Sequence, residues 1–134
     1  MRHEIIIDGS HFNNIAGFYD EIERLLTKGL TWKIGRNMDA FNDILRGGFG
    51  VHEYGESLAI KWINFKKSKA DFGYPATIAY YEQILLQCHP SNITFVQEKI
   101  NAAKSRKGQT LLDIIVGIIL NTNDSGHDCT LATD

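Results

Sequence analysis

The sequence predicts an α/β fold, a small three-stranded parallel sheet packed against helices, on three observations. Residues 4–8, 57–63 and 128–133 have strand chemistry, being short, rich in isoleucine, leucine or threonine and bounded by turn residues. The segments between them place apolar residues at intervals of three and four, the spacing of a helix with one buried face. Strands separated in this way by helices connect through right-handed crossovers, which gives a parallel sheet covered by helices. A chain of 134 residues with 43% hydrophobic residues, 22% charged residues and 2 prolines has the size and composition of one folded domain.

The first strand ends at Asp8-Gly9-Ser10, a turn sequence. From Asn14, Ile15, Phe18, Ile22 and Leu25 form a helical stripe, with Asp20, Glu21 and Glu23 expected on the opposite face, until Lys28-Gly29. After a loop at 30–35, a second helix is expected over 36–46, burying Met38, Phe41 and Leu45 and stopping at Gly47-Gly48. In the strand at 57–63, Leu58, Ile60 and Trp62 share one face. A basic run, Lys66-Lys67-Ser68-Lys69, follows it. Pro75 suits the first turn of a helix bearing Ile78, Tyr81 and Leu85, and His89-Pro90 ends it. Ser91 is expected to cap the next helix, with Ile93, Val96, Ile100 and Ala103 facing inward until Gly108. Residues 111–120 read as a buried helix with a small or polar strip of Thr110, Asp113, Gly117 and Asn121. A turn at Asn123-Asp124-Ser125-Gly126 leads into the last strand.

Charge is unevenly distributed. The formal net charge is −2, yet residues 66–107 carry 3 acids and 7 bases while residues 108–134 carry 4 acids and no base. That balance gives no general basic footprint for nucleic acid and restricts any such contact to the middle segment. The longest uncharged apolar run, 114–120, is far short of the roughly 18 residues a membrane span needs. The amino terminus lacks the apolar stretch of a secretory signal, so a cytoplasmic protein is expected. Two cysteines, Cys88 and Cys129, are too few for a disulfide framework and are expected as reduced thiols.

The most informative segment is Gly35-Arg36-Asn37-Met38-Asp39-Ala40-Phe41-Asn42-Asp43-Ile44-Leu45. On a helix Asp39 and Asp43 are four residues apart and share an exposed face with Arg46, while Met38, Phe41 and Leu45 point into the core. Like charges at this spacing oppose the helix by a few tenths of a kcal/mol. Arg36 and Arg46 either compensate, or the pair serves a partner.

With Ile7-Asp8-Gly9, Leu58-Ala59-Ile60-Lys61-Trp62 and the strand ending at Thr133, this motif resembles the barstar family, intracellular protein inhibitors of secreted microbial ribonucleases. The resemblance covers residues 4–65 and 109–134. It implies one domain, with a helical insertion at about 71–108, and a second helix that enters a nuclease active site where carboxylates replace substrate phosphates. Asp39 and Asp43 match the family's two interfacial aspartates. Asn42 falls where the family often has an aromatic residue, and Lys33 and Ile34 fall on loop positions commonly tyrosine, with Trp32 the nearest aromatic. Arg36 replaces a residue that is commonly acidic. The implied toxin-binding surface is therefore Trp32 to Arg36, including Gly35, together with Asp39, Asn42, Asp43 and Arg46, and its reduced acidity implies a divergent cognate ribonuclease toxin. The expected state is a monomer when free and a 1:1 complex with the toxin, with no cofactor and no catalysis.

Two rival classes are a nucleic-acid-binding module built on residues 66–107 and a small enzyme using Asp39 and Asp43 as acid and base, which would need a pocket around both. Cys88-His89 and His127-x-Cys129 have metal-ligand types without the usual spaced pair, so no metal site is expected. Ser125, His127 and Asp128 read as turn residues, and Gly47-Gly48-Phe49-Gly50 as a connection rather than a phosphate loop.

Overall fold

Three parallel strands, β1 (His3–Asp8), β2 (Leu58–Ile63) and β3 (Cys129–Thr133), lie in the order β1-β2-β3. The computed structural model describes residues 3–26, 37–45, 58–120 and 129–134. Register places Ile5 beside Ile60, Ile7 beside Trp62 and Leu58 beside Cys129. As the middle strand, β2 buries Leu58, Ile60 and Trp62 on one face while Lys61 stays exposed, the alternation expected of a sheet with one fully covered face.

Six helices join the strands: α1 (Ile15–Leu26) and α2 (Met38–Leu45) before β2, then α3 (Phe65–Asp71), α4 (Tyr74–Leu85), α5 (Ile93–Lys104) and α6 (Leu111–Leu120) before β3. Asn14 caps α1, its Oδ1 accepting the Gly17 N–H at 2.8 Å. Thr110 and Asp113 cap α6 reciprocally, the Asp113 carboxylate accepting the Thr110 N–H and the Thr110 hydroxyl accepting the Asp113 N–H. No helix among the described residues is long and apolar enough to cross a membrane.

Aromatic rings fill the centre of the core. Phe18 stacks on Trp62 at 5.7 Å and meets Phe41 edge to face at 5.3 Å, while Phe12 stacks on Phe72 at 5.9 Å. The Trp62 indole N–H donates to Ser68 Oγ at 3.0 Å, which satisfies its one polar atom inside the core. A Cβ on Gly9 would stand 2.5 Å from both Asn64 O and Ser68 Oγ, so only glycine lets the turn after β1 lie against α3.

Four local expectations are corrected. Glu21 is buried, not on the solvent face: its carboxylate accepts the Asp8 N–H at the end of β1, a hydrogen bond from Arg24, and lies 3.0 Å from His11 Nδ1. A strand end needing an acceptor and two basic side chains make burial of this charge tolerable. The basic run lies on a helix of its own, α3, which starts after Asn64 in a left-handed conformation and is capped by Asp134, whose carboxylate accepts the N–H groups of Asn64 and Phe65. That partner is 70 residues away in sequence, so no local pattern announced it. Ser91 does not cap α5; it lies in a 3-10 turn, bonded to the His89 imidazole, and Ile93 is exposed. On α4, Ile78, Tyr81 and Leu85 are half-buried, and the fully buried position is Thr77. The Thr77 hydroxyl accepts the Leu111 N–H at 2.6 Å and donates to Gly73 O, which turns α4 so that Ala76 and Tyr80 meet the core. α4 packs on α5 and α6.

Candidate functional site

α2 has two faces with different duties. Phe41, Ile44 and Leu45 are fully buried and Met38 packs against the same cluster, so the helix is held to the core along its length. Asn37 caps it, its Oδ1 accepting the Ala40 N–H at 2.7 Å. On the opposite side Asp39 and Asp43 are exposed, with Asn42 half-buried beside them. Asp39 stands in the first helical turn, where the helix dipole stabilises a carboxylate.

The structure thus places Asp39, Asn42 and Asp43 on one rigid helix. Trp32, Lys33, Ile34, Gly35, Arg36 and Arg46 lie outside the described residues, as do Gly47–Gly50, Ser125, His127 and Asp128.

Beside α2 runs a groove of about 630 Å³ whose presence sequence reasoning missed. Asn14 and Ile15 of the α1 start, Met38 and Asp39 of α2, and Tyr80 and Ile84 of α4 line it. The spacing of Ala76, Ala79, Tyr80 and Gln83 gives α4 an uncharged face, which was the available signal. Nothing local said that this face would stand opposite Asp39. The middle segment, through α4, thus comes alongside the acidic helix. Burial first, then the neighbouring Tyr81 and Asp39, push the Tyr80 phenol above its ordinary range. Asp43 is not among the groove residues, so the two carboxylates do not share the pocket that acid and base work would need.

Other constellations serve the fold. Among the described residues no group of three or more His, Cys, Asp or Glu side chains could hold a metal. Cys129 is buried on β3 and Cys88 half-buried, and neither is in a disulfide. Within the basic run, Lys67 donates to Phe12 O at 2.7 Å and to Asp71 at 2.6 Å, leaving Lys66 and Lys69 exposed. Asp8 accepts hydrogen bonds from the Ser10 hydroxyl, the Asn64 amide and the Ser10 N–H, which hold its carboxyl down at about 2.

No curated protein sequence matches the chain. The family described as Barstar (barnase inhibitor) matches residues 2–90. That span runs from β1 through α4, takes in both aspartates of α2, and ends in the turn before α5. Covering more than half of the chain and agreeing with its three-stranded parallel sheet and helices, the match identifies this protein as a member of the barstar family.

Proposed function

We propose that the chain is the immunity partner of a ribonuclease toxin and works by occluding the nuclease active site with α2. The observation that carries this reading is the two-faced helix. Asp39 and Asp43 project to solvent from a helix whose other face is locked by Phe41, Ile44 and Leu45. A ribonuclease that grips RNA phosphates with lysine and arginine presents concentrated positive charge, and fixed carboxylates meet it without offering a scissile bond. Rigidity matters because side chains already ordered in the free inhibitor lose little entropy on docking.

In this reading Asn42 and the segment 32–36, with Arg46, complete the contact around the two aspartates. The inhibitor is a cytoplasmic monomer that meets its toxin 1:1 and performs no catalysis of its own. Residues 71–108 are an added pair of helices on the family's compact sheet-and-helix design, within one domain.

The experiment is a titration of ribonuclease activity. The partner is captured by co-purification of the tagged chain with the product of the adjacent upstream gene, and RNA cleavage is followed as inhibitor is added. The expected result is linear loss of activity ending at one inhibitor per nuclease. RNA cleavage by the purified chain alone, abolished in Asp39→Asn or Asp43→Asn, would replace the inhibitor reading with an enzymatic one.

A further inference from the structure

The positive charge of the middle segment is concentrated at one corner of the molecule. Lys69 stands in the last turn of α3, and Lys104, Arg106 and Lys107 stand at and just beyond the end of α5, all of them exposed. The Tyr74 hydroxyl at the start of α4 donates to Gly108 O at 3.1 Å, and the Leu112 N–H donates to Phe72 O at 3.3 Å. The end of α3, the start of α4 and the end of α5 therefore meet. None of these cations forms an ion pair with a described carboxylate. Of the carboxylates near the corner, Asp71 is already paired with Lys67 and Asp113 accepts the Thr110 N–H.

A helix C-terminus draws cations through its dipole, which is the ordinary reason for bases at the end of α5. Here that pull is answered from another side, because α4 starts where α5 ends and the opposite half-charges of the two helices offset each other. The loop that carries the bases is also fixed, with the Arg106 N–H donating to Ala103 O and the Lys107 N–H to Ala102 O. Charge is thus held at this corner in excess of what the helices need.

The surroundings of the charge select the kind of partner. Of the exposed large hydrophobic side chains among the described residues, Leu86, Ile93 and Phe95 lie at the opposite end of the α4 and α5 pair, Leu120 at the far end of α6 and Ile6 on β1. A protein interface needs an apolar centre and a membrane surface an apolar side chain to insert, and this corner offers neither. A phosphate backbone needs only cations and hydrogen-bond donors. Ser105 and Gln109 are exposed beside the bases, and the first turn of α4 has neither a side-chain cap nor an acid, which leaves its N–H groups to phosphate oxygens. We propose that this corner is a docking surface for the phosphate backbone of single-stranded RNA, held by charge and not by base sequence. The strand would avoid the aspartates of α2, so the chain stays able to meet a protein partner while it is held on RNA. The inference stands on the chemistry of the corner and does not require the ribonuclease-inhibitor reading.

A fluorescein-labelled oligouridine is titrated with the full chain and its anisotropy followed. Saturable binding is expected, with a dissociation constant on the order of 10–100 μM at low salt. Affinity should fall about fiftyfold between about 50 and 200 mM KCl, at a logarithmic slope of about −0.7 for each phosphate met by one of these cations. Lys107→Gln should lower that slope by about 0.7, and the joint change Lys104→Glu, Arg106→Glu and Lys107→Glu should abolish binding with thermal melting preserved. Lys61→Glu, on the exposed side of β2, alters net charge as Lys107→Glu does and should leave binding unchanged. Absence of saturable binding at low salt, or equal losses in Lys61→Glu and Lys107→Glu, would overturn the proposal. Competition by poly-glutamate as effective as that by unlabelled RNA would overturn it in favour of an acidic protein, and binding confined to phosphatidylserine vesicles in favour of a membrane surface. Inhibition of a captured ribonuclease by the triple variant at full strength would show that the corner acts apart from α2, as proposed.

Discussion

α2 and α5 are both amphipathic helices with three buried positions, yet they are attached to the molecule in different ways. In α2, Phe41, Ile44 and Leu45 belong to the one hydrophobic cluster that also holds Trp62 and Phe18. In α5, Val96, Ile100 and Ala103 are buried outside that cluster, chiefly against α4, while Ile93 and Phe95 remain exposed. A buried stripe therefore says that a helix packs, but not what it packs on. The helix rooted in the common core is the one that carries the two aspartates, and a charge presented from a rigid mount keeps its aim.

The sharpest way to break the comparison is to remove the root of α2. Phe41→Ala should cost about 3–5 kcal/mol of stability, since a fully buried aromatic leaves both lost transfer energy and a cavity. Denaturant melts measure the loss, and ribonuclease affinity should fall with it as the aspartates lose their mount. A Phe41→Ala protein with unchanged affinity would show that α2 does not depend on its buried face to bind.

Changing the exposed face should do the reverse. Asp43→Ala is expected to weaken ribonuclease binding by about 2–5 kcal/mol, a range drawn partly from complexes of this same family, because a desolvated cation is left unpaired across the interface. Its melting should move little, exposed substitutions usually costing within about 0.5 kcal/mol. Calorimetric titration and thermal melts on the same samples separate the two quantities.

For α5, Ile100→Ala should cost about 2 kcal/mol, at the low end for a buried isoleucine, because α5 packs chiefly on α4, outside the main hydrophobic cluster, and the site can collapse. Hydrogen exchange should accelerate in α4 and α5 and leave β2 protected. Uniform acceleration through the sheet would mean that the hairpin of helices is as integral as α2.

The smallest effect concerns the corner where β1 meets α3. Asp8 has a folded value of about 2 against an ordinary 3.8, so its carboxylate contributes stability above that ordinary value. The contribution disappears as pH falls through about 2. The gap in melting temperature between the natural chain and Asp8→Asn should therefore be constant near neutrality and close between about pH 4 and pH 2. Asp134, lowered in the same direction by the Phe65 and Asn64 N–H groups, adds to the acid opening of that corner.

Local patterns determined much of this protein. Short apolar runs bounded by turn residues mark the three strands, and the helices between them make the sheet parallel. The five helices other than α3, the buried row Leu58, Ile60 and Trp62, and the exposure of Asp39 and Asp43 follow from spacing, because side-chain direction repeats with the backbone. Pairings between distant segments were not legible. Glu21 looked like a surface carboxylate until the end of β1 and His11 were brought to it. Seven residues of α3 carry three lysines and no convincing apolar stripe, and their N-terminal cap comes from Asp134. The groove is the clearest case, since its Asp39 and Tyr80 walls are 41 positions apart and neither helix encodes the other's distance. A one-dimensional pattern reports which face of an element is apolar; which other element covers that face, and what space is left between them, is decided only when all the faces compete for the same core.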